Sequence, residues 1–334
     1  MIKFQSQIIK VTLLSIAILI HSCSSGDIKE GNKQELTVSG DADFIQNFRV
    51  MILPPTKSPG KGKKGEVISE PKYDGFVAEL TSALVNSGKA VVVDREKTAA
   101  ALNEISFGKT GLVDSSTALN LGKITGAQKF VSPVVSGNVF TLSMTDIETT
   151  KVEYSKSVSL DQYSSLLSDF PKFLDHKLLL TNMSKLKSKD SSLKVTLKSS
   201  KKKYLKNEPI SFEVSVSDDA FLYLILIQND GEIFTIFPND DQPDNFLISG
   251  KIVTIPNSKS GFVFTAGEPF GTDVIKAIAS KEKMNLFQPK KVEGTPFGQV
   301  TGSKDVVTRG IKRVTTGIKS SDWNSSEISI ETAP

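Results

Sequence analysis

The stretch Tyr73-Asp74-Gly75-Phe76-Val77-Ala78-Glu79-Leu80-Thr81-Ser82-Ala83-Leu84-Val85-Asn86-Ser87-Gly88-Lys89-Ala90-Val91-Val92-Val93-Asp94-Arg95 changes its period twice. Phe76, Val77, Leu80, Ala83 and Leu84 recur at helical spacing, so residues 73–87 predict an amphipathic helix. Gly88 supplies a stop. Residues 90–93 form a short β-branched run, read as a strand. Asp94 then stands where a cap is needed for a helix through Ala99, Ala100, Leu102 and Ile105. Helix, strand and helix in such quick succession predict a sheet with helices packed on it.

The neighbouring segments extend this pattern. Residues 48–53 are an apolar strand halted by Pro54-Pro55. Residues 56–71 contain Gly60-Lys61-Gly62-Lys63-Lys64-Gly65 and read as a mobile basic loop. Their spacing lacks the GxxxxGK[ST] pattern of a phosphate-binding loop. Ser115 or Ser116 caps a helix over Ala118, Leu119 and Leu121. Residues 129–136 are a strand, and residues 139–146 and 152–160 make a hairpin around Glu148-Thr149-Thr150. Residues 162–184 are helical in pattern, with Pro171 bending or restarting the helix.

The character changes beyond residues 184–192, which are rich in Lys and Ser. Strands are expected at 193–198, 210–216 and 221–227. Asn229-Asp230-Gly231 is a hairpin signal leading into 232–237. Later strands are expected at 252–255, 261–265, 273–279 and 327–331, with Trp323 as a core residue near the last. Short strands at this spacing predict an all-β, sandwich-like domain. Residues 281–320, rich in Gly, Thr and Lys, read as a long and partly mobile excursion.

The amino end carries different information. Lys3 and Lys10 precede an apolar run ending at Ile20, and His21-Ser22-Cys23 follows. A charged start, a short apolar middle and a small residue read as a secretory signal over residues 1–22. The apolar run is too short for a membrane span. Leu19-Ile20-His21-Ser22-Cys23 resembles the lipobox of bacterial lipoproteins. That resemblance implies a diacylglyceryl group on Cys23, cleavage before it, and acylation (palmitate or similar) of the new amine. Two or more acyl chains give stable anchoring. Cys23 is the one cysteine in the chain, so no internal disulfide is expected. The resulting partition is a signal at 1–22, a lipidated flexible tether at 23–45, an α/β domain at 46–186, a linker at 187–192 and a β domain at 193–334.

The residue inventory argues for binding over catalysis. Of two histidines, His176 alone lies beyond the signal, within a helical pattern. No zinc-ligand set and no nucleophile elbow is present, so no catalytic, cofactor or metal residue is expected. The acidic loop 239–245 lacks EF-hand spacing and reads as a solvated turn. Lys198, Lys201, Lys202, Lys203 and Lys206 read as a solvated face. A formal net charge of +4 in 334 residues does not call for nucleic acid.

Two further resemblances rest on short motifs. Residues 49–53, the step Val91-Val92-Val93-Asp94-Arg95, then Leu121-Gly122 with Gly126-Ala127, together resemble the CsgG-like family. That family includes the curli secretion lipoprotein and LpoB-like lipoprotein activators of penicillin-binding proteins. Over residues 193–331, Tyr204, Gly231-Glu232, Phe237-Pro238-Asn239 and Gly267-Glu268-Pro269-Phe270-Gly271 are similar to an uncharacterised envelope β-domain marked by a Phe-Pro-Asn signature. Lys156 shares a face with Val152, Tyr154 and Val158, which disfavours a membrane-crossing hairpin. The resemblances imply a non-catalytic envelope protein, held at the outer membrane through Cys23 and facing the periplasm, that binds an envelope protein or a second copy of itself. A ring-forming secretion subunit and a cell-wall enzyme are the alternatives.

Overall fold

The computed structural model describes residues 2–4, 44–58, 66–104 and 115–334. Cys23, residues 24–43 of the expected tether and Ile105 lie outside them, whereas the last tether residues, Phe44 and Ile45, belong to the first unit. The described chain forms two compact units, Phe44–Lys185 and Leu186–Pro334, with strand β1 (Ile2–Phe4) counted with the second.

The first unit is built on a mixed sheet. Its strands are β2 (Phe48–Ile52), β3 (Thr56–Lys57), β4 (Glu66–Val67), β5 (Ala90–Val92), β6 (Lys129–Ser136), β7 (Val139–Asp146) and β8 (Val152–Ser159). Its helices are α1 (Pro71–Ser87), α2 (Arg95–Glu104), α3 (Ser115–Thr125) and α4 (Ser165–Lys185). β2 lies parallel to β5 and β6, whereas β6, β7 and β8 run antiparallel in sequence. The expected loop at 56–71 needs correction at both ends. Thr56–Lys57 continues the sheet parallel to β6, and Glu66–Val67 pairs back on it.

Alternation explains why residues 50–53, past the exposed Arg49, are apolar without a break. Phe48, Val50 and Ile52 join Val131, Phe140, Leu142 and Met144 in a core shared with α1 and α4. Met51 and Leu53 face the other way, into a core with Ala101, Leu102, Leu121 and Ile147 on the side of α2 and α3. A strand covered on both faces carries no polar alternation. Phe140 is fully buried, with its ring 4.8 Å from Phe76 and 5.7 Å from Tyr163.

Local signals set the helix ends. Pro71 opens α1, and Gly88 ends it at φ 66°. The Asp94 carboxylate accepts the Glu96 and Lys97 amides at 2.8 and 3.3 Å, which caps α2. Pro171 sits inside α4, which continues through it from Ser165 to Lys185.

The second unit is predominantly β. It contains β9 (Val195–Ser199), β10 (Lys203–Leu205), β11 (Pro209–Ile210), β12 (Phe212–Val216), β13 (Ala220–Ile227), β14 (Ile233–Phe237) and β15 (Phe246–Leu247). It continues with β16 (Val253–Ile255), β17 (Phe264–Ala266), β18 (Thr272–Ser280), β19 (Lys290–Lys291), β20 (Gly298–Gln299), helix α5 (Lys304–Thr316) and β21 (Trp323–Ala333). The order β10-β21-β18-β13-β14-β20-β19 makes the main sheet, and β16-β12-β9 and β1-β17-β11 make two smaller ones. Leu222, Leu224, Ile275 and Ala277 of the main sheet pack in one core with Phe212, Val214 and Phe264 of the others. Trp323 opens β21 and is 8% exposed.

The all-β expectation is corrected by α5, and the expected excursion at 281–320 holds β19, β20 and this helix. Val307, Ile311 and Thr315 are buried while Arg309 and Arg313 are exposed, so α5 is amphipathic. Its Gly310, Thr308, Thr315 and Thr316 hid it from propensity reasoning. The acidic turn is also less solvated than expected. Asn239, Gln242 and Asn245 are buried, and Asn239 Oδ1 accepts the Asp241 and Gln242 amides.

Opposite faces of β7 should therefore respond differently to truncation. Phe140→Ala is expected to cost about 4 kcal/mol, the usual range for a buried aromatic. Val139→Ala, at a position 42% exposed, is expected to stay within about 0.5 kcal/mol. Urea unfolding followed by circular dichroism separates the two outcomes.

Candidate functional site

Three strands and a helix converge on Lys129. It is the first residue of β6, placed directly opposite Asp146 at the end of β7. Its ammonium lies 2.6 Å from Asp146 Oδ2 and 2.8 Å from Glu153 Oε2, and the side chain is 7% exposed. Glu153 reaches this face through a bulge, because the pairing of β7 with β8 shifts between Met144–Tyr154 and Thr145–Val152. Its other oxygen accepts Lys177 of α4 at 2.8 Å. Lys129 also lies 5.2 Å from the centre of the Phe48 ring.

This ion cluster forms one wall of a cleft of about 510 Å³. Phe48, Ala127 and Ile147 supply buried apolar lining, and Leu119 and Lys123 stand exposed at the rim. The helix at the rim is held close by glycine. A Cβ on Gly122 would meet Ile147 Cγ2 at 2.7 Å, so α3 could not pack there with a side chain in place. Gly126 turns the chain at φ 67° out of α3. The Leu-Gly and Gly-Ala steps noted in the sequence thus have a packing role. On the far side, Asn182 of α4 accepts the Ile45 amide at 2.8 Å and donates to the Ile45 carbonyl at 2.9 Å, which fixes the entering chain beside the cleft.

Burial opposes ionisation of Asp146, but hydrogen bonds from Lys129 and from the Thr149 hydroxyl and amide outweigh it. They hold its carboxyl at about 2, down from the ordinary 3.8. Burial likewise opposes ionisation of Glu153, and Lys129 and Lys177 together bring it below its usual range. Neither carboxyl is poised for proton transfer near neutral pH. The arrangement suits binding: a partly apolar groove bordered by charges of both signs.

The residues singled out in the sequence lie elsewhere. His176 is half-buried on α4, and Cys23 is outside the described residues. Lys201 pairs with the half-buried Glu208, Lys203 with Glu331 and Lys206 with Glu268, and all three lysines are exposed. Among the described residues, no group of three or more His, Cys, Asp or Glu is placed to hold a metal. The second unit has a cleft of about 450 Å³ beside Asp240, Phe262 and Lys291, and another of about 260 Å³ beside Tyr223, Phe237 and Met284. Sequence reading missed Lys129. The available signal was a lysine heading an apolar strand, opposite a hairpin with a carboxylate at each inner end.

Removing the central cation should be costly. Lys129→Ala leaves two carboxylates facing each other and is expected to cost about 3 kcal/mol in urea unfolding. The cluster also sets an acid response. Asp146 has a depressed carboxyl, so its contribution is complete above 3.8 and is lost as pH falls toward about 2. Asp146→Asn is expected to flatten the stability profile in that window, measured by urea midpoints at successive pH values.

Residues 72–160 match the family model described as the peptidoglycan-synthase activator LpoB. Residues 203–283 match a domain of unknown function, DUF4384. Among solved structures, the chain is similar to the LpoB C-terminal domain from Salmonella enterica, at 15% identity over 35% of this chain and 86% of that one, with a TM-score of 0.26. It is similar to the LpoB C-terminal domain from Escherichia coli, at 17% identity over 35% and 87%, with a TM-score of 0.27. The NMR structure of E. coli LpoB matches at 15% identity over 44% and 82%, with a TM-score of 0.26. No curated protein matches the chain. The wider CsgG-like assignment and the Phe-Pro-Asn signature receive no support from these matches. Residues 72–160 of this chain are thus similar to LpoB, and residues 203–283 to DUF4384.

Proposed function

We propose that this chain is a non-catalytic lipoprotein of the cell envelope that binds and activates a peptidoglycan synthase through its α/β unit. The match of residues 72–160 to the activator family carries the reading. The cleft supports it, because most of its lining, from Leu119 to Glu153, falls inside that segment. A rim with one exposed leucine beside Lys123 and Glu148, over a floor of Phe48 and Ile147, suits an apolar anchor flanked by charges. The paired ion cluster keeps the groove in shape, with the carboxyls of Asp146 and Glu153 both held below their usual range.

Anchoring is part of the same proposal. Lipidation at Cys23 would hold the chain at the outer membrane, facing the periplasm. A segment of about 20 residues between Cys23 and the first unit reaches at most about 70 Å when fully extended. That limit sets how far from the lipid surface a partner is met. The DUF4384 segment has no assigned role in this reading.

The test uses the full chain and the glycan-polymerising synthases of the same envelope. Binding and a faster polymerisation rate are expected. Leu119→Lys, at a position 40% exposed, is expected to weaken binding at least about tenfold, or about 1.4 kcal/mol, with no change in urea midpoint. A folded chain that neither binds nor accelerates any synthase overturns the reading. Cys23→Ser is expected to move the chain from the membrane fraction to the soluble fraction. Unchanged membrane retention would refute the anchor alone.

A further inference from the structure

We propose that β8 is a self-association edge, through which two copies of the chain join into one continuous sheet about a two-fold axis at Ser157. This stands apart from the synthase reading and uses a different part of the first unit.

β8 runs eight residues, and one side of it pairs with β7. Its other side has no strand partner among the described residues. The remaining sheet-edge strands of the described residues run two to five residues. Shortness is a usual protection against edge pairing, and β8 lacks it. It also contains no proline. Its lysine, Lys156, is turned toward α4 and paired with Asp169.

The direction of the main-chain groups follows from one hydrogen bond. The Leu160 amide donates to the Asn138 carbonyl at 2.9 Å, just past the strand ends. Antiparallel pairing alternates every second residue. Val158, Lys156 and Tyr154 therefore direct their N–H and C=O groups at β7. Ser155, Ser157 and Ser159 direct theirs outward, where they meet no main-chain partner among the described residues. The outward lane carries only small side chains, so nothing on it obstructs another strand.

Few symmetric registers are open to two such edges. Pairing centred on Ser155 draws the bulged Glu153 into the ladder. Pairing centred on Lys156 sets two ammonium groups directly opposite each other, which is destabilising. Pairing centred on Val158 leaves Ser155 beyond the ladder. Pairing centred on Ser157 avoids all three faults. It matches Ser155 with Ser159 of the second copy and Ser157 with its own counterpart, and closes about six main-chain hydrogen bonds. Lys156 then faces Val158 of the second copy. A two-fold contact of this kind is closed and stops at two chains.

The test uses the full chain carrying Cys23→Ser, so that no native thiol competes. Sedimentation equilibrium is expected to show one chain mass at low concentration, rising to two and no further. Ser157→Pro deletes an outward N–H and no bond to β7. Ser157→Lys places two ammonium groups face to face at the axis. Each is expected to weaken association at least tenfold, and Ser157→Thr to preserve it. If the proline variant does not fold, the lysine variant decides. Ser157→Cys is expected to give a disulfide-linked dimer on oxidation, because opposed residues of such a pair lie about 5.5 Å apart. A single-chain mass at every concentration overturns the proposal. So does association that survives Ser157→Lys.

Discussion

A lysine buried at the head of a central strand has to be met by carboxylates, because an unpaired charge there would be costly. In the α/β unit that requirement ties four elements together. Asp146 must close β7 opposite Lys129, Glu153 must be turned inward by a bulge, and α4 must bring Lys177 within reach of Glu153. Slipping β8 by one residue would send Glu153 to the other face and break the cluster. The ion cluster therefore fixes register at this end of the sheet, and a groove lies beside it.

The two units solve the burial problem differently. The first has parallel strands sandwiched between helices, so its central strands are apolar on both faces. Its antiparallel half carries serine and threonine on the face away from α1 and α4: Thr141 and Ser157 hydroxyls meet at 2.8 Å across β7 and β8. The second unit closes a core between sheets and buries even a lysine in its main sheet. Lys276 is 2% exposed with Glu327 at 3.2 Å. Burial pushes the Lys276 ammonium down and Glu327 partly offsets this. Nearly every sheet edge in both units is short, which makes the length of β8 a property to be explained.

Local chemistry made much of the fold legible. Residues 73–95 announced α1, its glycine stop, β5 and the Asp94 cap, because each depends on neighbours within a few residues. The hairpin of β7 and β8 was legible from alternation. The strands around Asp230-Gly231 were too, since Gly231 takes φ 90° at a turn that favours glycine. What failed had a physical cause. Helix α5 is rich in threonine and contains Gly310, so its helicity rests on the burial of Val307 and Ile311. β3 and β4 are two residues each, below the length at which a period is visible. The amides of residues 239–245 turn inward to satisfy buried carbonyls, such as Leu222 O with Asn245, and composition alone reads them as solvated.

The sequence by itself determined the longer strands and helices of the first unit, which of their faces are apolar, and that the chain changes from α/β to predominantly β near residue 186. These depend on periodicity, caps and turns, all written within a dozen residues. The tertiary structure alone decided that Lys129, Asp146, Glu153 and Lys177 form one cluster, and that Ser155, Ser157 and Ser159 present their main chain outward. Both follow from register between strands and from a single bulge. Register is a relation between distant segments, and it is settled when side chains pack.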